Sequence, residues 1–210
     1  MSEGADPGFE SVRTTLESAL TLPFAVTISS SQIDDGKTQL AAGTARAFAR
    51  AGFSAIVVDA HPAFPGVGPA LGVGELPLPT TVDAAELPIY HVEDNLDAVS
   101  IGSHKLLDGL PPAKTQAFIQ RMRRIYQVTI IDTCDLFYDA FAVQCAAACD
   151  GVVLAVRYAR DPDPEDDRVV ATLEKMGARI VGSVPTDYPP QPLGRLVARL
   201  TRFSLFRRRP

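Results

Sequence analysis

The chain has 210 residues, 46% hydrophobic and 21% charged, with a net charge of −5. Such a length and composition suit one globular domain with appendages and exclude a disordered chain. The acidic balance argues against nucleic acid as the main ligand of the surface as a whole. No apolar run approaches the roughly 18 residues that crossing a bilayer requires. The opening MSEGADPGFE is acidic and polar, unlike a signal peptide, and three cysteines without paired spacing suit a reducing cytoplasm.

In chain order, FESVRTTLESAL from Phe9 to Leu20 predicts a short helix that Pro23 terminates, with Glu10 and Arg13 as a solvated surface pair. Phe24 to Ser29 is an apolar, β-branched run and predicts a strand. Ser30 to Gly36 is polar and turn-forming. From Lys37 a helix follows, with Leu40, Ala47, Phe48 and Ala51 at helical spacing. In a strand–loop–helix of this kind, backbone N–H groups converge at the helix start, where the helix dipole adds positive potential and favours a phosphate chain. Gly36-Lys37-Thr38 fits the end of the G-x-x-x-x-G-K-[ST] pattern, with Ser31 at the first glycine. Lys37 is then expected at the β- and γ-phosphates of ATP and the Thr38 hydroxyl on Mg²⁺. Ser31, Gln32, Asp35, Gly36, Lys37, Thr38 and Gln39 make up the expected nucleotide-binding loop and first turn. The competing reading is a turn with a solvated lysine.

Gly52 reads as a helix stop, and Ala55 to Val58 as a buried parallel strand closing on Asp59. Carboxylates at such strand ends face the ligand crevice of an open α/β sheet, which makes Asp59 a candidate contact to Mg²⁺ or to the attacking group. A turn-capping aspartate is the alternative. Residues 61–86 are rich in Pro and Gly and are expected to flank the site. Strands are expected at Leu87 to Val92 and Leu96 to Ile101, and a helix at about Ala113 to Tyr126. Gln127 to Asp132, QVTIID, is a second apolar run closing on an acid, as a Walker B strand does beside Mg²⁺. A helix from Tyr138 to Ala148, a strand from Gly151 to Val156, a helix from Asp166 to Met176 and a strand from Arg179 to Val184 complete the alternation. The expected fold is therefore α/β, a doubly wound, mostly parallel sheet with helices on both faces. Its parts are an N-terminal segment (1–20), an ATP-binding domain (21–190) and a tail (191–210).

Together these blocks resemble the bacterial tyrosine kinases of capsule and exopolysaccharide synthesis, within the ParA/MinD-like P-loop ATPases. VTISSSQIDDGKTQLAAGTARAFARAGFSAIVVDA is similar to the family's Walker A, helix and Walker A′ strand. VTIIDTCDLFYDAFAVQCAAACDGVVLAVRYARD is similar to its Walker B strand, next helix and next strand, and KMGARIVGSVPTD to its closing segment. The resemblance implies Lys37, Asp59 and Asp132 as catalytic residues, and Thr38, Asp59 and Asp132 around Mg²⁺. It also implies a homo-oligomer and a membrane adaptor of polysaccharide export at the inner membrane face. The chain departs from the family at His61, where a second Walker A′ aspartate is usual, and at Ile33-Asp34-Asp35 in the loop. ESVR at 10–13 resembles the first half of the family's ring-forming E-x-x-R-x-x-R motif, whose second arginine is here Leu16; further departures are Cys134-Asp135 after Walker B and a tail without a tyrosine cluster. Gln32 stands where ParA/MinD proteins carry a signature lysine.

From Gln191 the tail has six arginines and no acid. Leu193, Leu196, Val197, Leu200 and Phe203 fall on one helical face opposite Arg195, Arg199 and Arg202. Such a helix can lie in an anionic membrane interface or pack on the domain. Cys145 and Cys149 read as core filler, and His91 and His104 have no partner at metal spacing. Two functions stay open. One is a cytoplasmic tyrosine kinase of polysaccharide export; the other is a non-kinase switch whose ATP occupancy controls oligomerisation and membrane or partner binding.

Overall fold

The computed structural model describes residues 6–33, 35–82, 86–136, 139–161 and 163–187. Asp34, Tyr138 and the 191–210 tail lie outside them. Seven strands form one sheet in the order β3-β4-β2-β5-β1-β6-β7. They are β1 (Phe24–Ser29), β2 (Ala55–Asp59), β3 (Tyr90–Glu93), β4 (Leu96–Ser100), β5 (Val128–Asp132), β6 (Gly151–Arg157) and β7 (Ile180–Thr186). All pairings are parallel except β3 with β4. The helices are α1 (Pro7–Ala19), α2 (Lys37–Arg50), α3 (Val67–Leu71), α4 (His104–Leu107), α5 (Pro112–Ile125), α6 (Ala140–Ala148) and α7 (Pro164–Lys175).

Every residue of β1, β2 and β5 is buried, because helices cover both faces. Side chains alternate between two cores. Val26, Ile28, Val57 and Ile130 pack under α1 and α2 with Leu16, Leu40 and Phe48. Ala25, Ile56, Val58 and Ile131 pack under α5 and α6 with Phe118, Ile119, Met122, Phe141 and Cys145. A third cluster seats Val169 and Leu173 of α7 on Val152 and Leu154 of β6. Phe48 lies edge-on to Phe24 at 5.6 Å and to Phe53 at 5.7 Å. Cys145 is core, as expected, and the Thr27 hydroxyl donates to Cys149 Sγ at 3.2 Å.

The 61–86 stretch contains α3, whose first residue Val67 donates its N–H to Asp59 Oδ2 at 2.9 Å. Two local expectations need correction. The strand expected from Leu87 pairs only from Tyr90, as an antiparallel edge with a register shift between His91 and Glu93. Arg13 is not merely a partner of Glu10 on a solvated face: it pairs with Glu10 at 2.9 Å and also with Glu17, and each side chain is less than a third exposed. At the other edge, β7 carries Pro185 opposite Val156.

Leu16 is 1% exposed in the first core. Leu16→Ala is expected to destabilise the chain by about 3 kcal/mol, and Leu16→Arg by at least as much, because a charge would enter the core unpaired. Urea denaturation of the two variants measures both values; an Arg variant as stable as the parent would contradict this packing.

Candidate nucleotide-phosphate site

Strand register assembles the site. Asp132 pairs with Ile28 of β1 on one side and Asp59 of β2 on the other, so two acids and the start of the loop share one edge of the sheet. Ile28 also accepts the N–H of Thr133 at 3.2 Å, and Ser30 accepts that of Leu136 at 3.1 Å, so the segment after β5 is sewn to the loop after β1.

The loop turns into α2 through Gly36, which has φ +72°; a Cβ there would stand 2.9 Å from Thr186 Cβ. Glycine is therefore required for both conformation and space. No side chain caps α2, which leaves its first-turn N–H groups to a ligand. Lys37 is 7% exposed and folds back over the loop, donating to Ser30 Oγ at 2.9 Å and to the Gln32 carbonyl at 3.2 Å. Thr38 Oγ1 donates to Asp132 Oδ2 at 2.7 Å. The side chains of Ser31, Gln32 and Asp35 turn instead toward the β6–α7 connection, contacting Asp166, Asp163 and Arg160. Gln39 is exposed on the first turn of α2.

Asp132 is fully buried, and its Oδ1 has no hydrogen-bond partner. Burial raises its pKa to about 7, opposed by the Thr38 hydrogen bond and reinforced by the Asp59 charge. Asp59 is raised by burial too, against N–H donors from Val67 and His61. An orphaned carboxylate oxygen beside a hydroxyl is a hard oxygen donor set that fits Mg²⁺, which binds through one or two carboxylates plus substrate phosphates. Among the described residues no cluster of three His, Cys, Asp or Glu side chains could hold a metal ion.

His61 Nδ1 accepts the Phe64 N–H at 3.1 Å, which places the proton of the neutral ring on Nε2. Burial, with Lys37 nearby, lowers its pKa, while Asp135 and Asp139 act in the opposite sense. Asp135 is 5% exposed with Oδ1 unpartnered. Burial pushes the Cys134 thiol up to about 12, so it lies near the site as an inert neutral group. His91 pairs with Asp97 at 3.0 Å and His104 with Asp108 at 3.5 Å, both on the surface. Arg160, Asp163, Asp166 and Asp135 escaped the sequence reading; the one local signal was the capping box that Asp163 and Asp166 form at the head of α7.

Because the folded pKa of Asp132 lies above its unfolded value, the folded chain binds the extra proton between about pH 4 and pH 7, and stability from this group falls as pH rises through that interval. Asp132→Asn removes the effect. The variant is expected to gain stability relative to the parent as pH increases from 4 to 7, by up to about 3 kcal/mol, with no further gain above. Thermal or urea melts of both chains across that range measure it, and a pH-independent difference would contradict the assignment.

No family model and no curated protein matches the chain. Solved structures do. The chimeric protein CapA2B2 is 20% identical with a TM-score of 0.72, covering 90% of this chain and 88% of that one. The kinase domain of the Escherichia coli tyrosine kinase Etk is 17% identical with a TM-score of 0.69, covering 89% and 79%. MinD from Pyrococcus horikoshii, solved with Mg-ADP, is 20% identical with a TM-score of 0.63, covering 77% and 69%. The seven-stranded, mostly parallel sheet with its flanking helices is thus the P-loop fold shared by tyrosine-kinase domains of this kind and MinD ATPases.

Proposed function

We propose that the chain binds Mg-ATP at the loop between β1 and α2 and acts as a kinase-like P-loop protein in capsule or exopolysaccharide synthesis and export. The observation that carries this reading is the 2.7 Å contact from Thr38 to the buried Asp132, with Lys37 folded over the same loop. Lys37 holds a positive charge in a nearly dry setting, where it acts more strongly on phosphate oxygens than in water. Thr38 and Asp132 would hold Mg²⁺, with Asp59 on the neighbouring strand. When bound, the ion neutralises charge on the phosphate oxygens. Asp59, made more basic by burial, is the acceptor for the proton of an attacking hydroxyl.

Asp59 also supports the second reading, a switch without kinase activity. Its Oδ1 accepts the His61 N–H at 3.3 Å and its Oδ2 the Val67 N–H, so both oxygens already have donors. The Tyr126 hydroxyl donates to Asp97 at 2.7 Å, and the residue is 8% exposed, which removes it as a phosphoacceptor. Tyr90 and Tyr158 are more than 40% exposed. The cytoplasmic setting, the oligomer and the adaptor belong to the proposal. Among the described residues no helix is long and apolar enough to cross a membrane.

Calorimetric titration with ATP and Mg²⁺ is expected to give binding that Lys37→Ala weakens at least about tenfold. Asp59→Asn should leave affinity within a few-fold and lower phosphotyrosine formation roughly 100-fold. Binding without phosphotyrosine selects the switch; no binding to the parent chain overturns both readings.

A further inference from the structure

The start of α7 closes on the phosphate loop through side chains. Arg160 Nη2 donates to Asp166 Oδ1 at 2.8 Å and lies 3.3 Å from Ser31 Oγ. The Ser31 hydroxyl donates to the same Asp166 oxygen, and Gln32 Nε2 donates to Asp163 Oδ2 at 2.6 Å. On its other side, Arg160 Nε stands 4.0 Å from Asp35 Oδ1. Asp35 is 1% exposed, and its own carbonyl accepts the Thr186 hydroxyl at 2.7 Å.

Two features make this cluster more than a surface ion pair. First, Ser31 stands where the P-loop pattern places glycine, and a hydroxyl gives the loop a lateral attachment that glycine lacks. Second, Asp35 buries a negative charge within the loop that is to receive an anion. Burial raises its pKa, and Arg160 is the largest influence opposing that rise, ahead of Lys37. Arg160 is itself largely enclosed, at 13% side-chain exposure, and its Nε and Nη1 have no hydrogen-bond partner. Its charge is therefore felt across a medium that screens weakly.

We propose that Arg160 is the positioning residue of the phosphate loop: its guanidinium joins Ser31 and Asp166 to Asp35, holds the loop in its anion-accepting shape, and offsets the Asp35 charge that would repel a phosphate. The effect on affinity rests on the nucleotide reading; the holding of the loop does not. Gln32 with Asp163 and Thr186 with Asp35 brace the same shape without carrying positive charge, and Arg157 acts on Asp35 in the same sense as Arg160 but less strongly.

The test uses the full chain. In the nucleotide-free protein, Arg160→Gln is expected to speed amide exchange at Ser31, Gln32, Asp35 and Gly36 at least about tenfold, with β1 amides unchanged. Unchanged loop exchange overturns the proposal. If Arg160→Gln loosens β1 as well, Ser31→Ala is the milder probe and should raise exchange at Ser31 and Gln32 alone; no rise there also overturns it. In Mg-ATP titrations, Arg160→Gln should weaken binding about tenfold or more, and adding Asp35→Asn should recover most of that loss. A purely structural role would show no such recovery, and its absence overturns the charge-offsetting part. If the parent chain binds no ATP, the nucleotide reading fails while the exchange measurement still decides the role of Arg160.

Discussion

The parallel registration of three strands is the constraint on which the rest of the structure depends. Asp132 is held level with Ile28 on one side and Asp59 on the other. Side chains alternate along a strand, so a slip of one residue in β5 would turn Asp132 into the opposite core and away from Thr38. The same slip would send Ile130 and Ile131 to the wrong faces, each now fully buried in a different cluster. Hydrophobic burial therefore enforces the register, and the register places the carboxylates. Neither carboxylate has to specify its own position.

The edge so formed is electrostatically expensive. Asp35, Asp59, Asp132 and Asp135 are each no more than 5% exposed, beside a Lys37 that is 7% exposed. Three of these carboxylates have an oxygen without a hydrogen-bond partner. Native interiors seldom leave such atoms unsatisfied, and where they do the cause is commonly a functional site. The apolar core, built from continuous Val, Ile and Ala runs, supplies the stability that tolerates this edge.

Much of this was legible in the sequence. Fully buried strands read as continuous apolar runs, and β1, β2 and β5 fall where those runs lie. The Gly36-Lys37-Thr38 head fixed the start of α2. The short helix VGPAL was not legible, because glycine and proline give it no propensity; Asp59, at the end of another strand, caps its first N–H. Leu87 looked like a strand residue because it is buried, yet β3 begins at Tyr90. The contacts of Ser31 with Arg160 and Asp166 span 129 and 135 residues, and no local pattern encodes a pairing at that distance. Folding brings Arg160, Asp163 and Asp166 against the loop between β1 and α2, which the charge pattern of 160–167 alone does not show.

The two outer strands carry a further consequence. β3 is four residues long, shifts register between His91 and Glu93, and ends in a carboxylate held by Arg46 at 2.8 Å. β7 presents Pro185, which has no N–H to offer a neighbour. Both rims are therefore poor templates for strand addition, the route by which open sheets zip into fibres or swap strands. Among the described residues, both rims of the seven-stranded sheet therefore disfavour self-association by strand pairing and leave it to helices and loops.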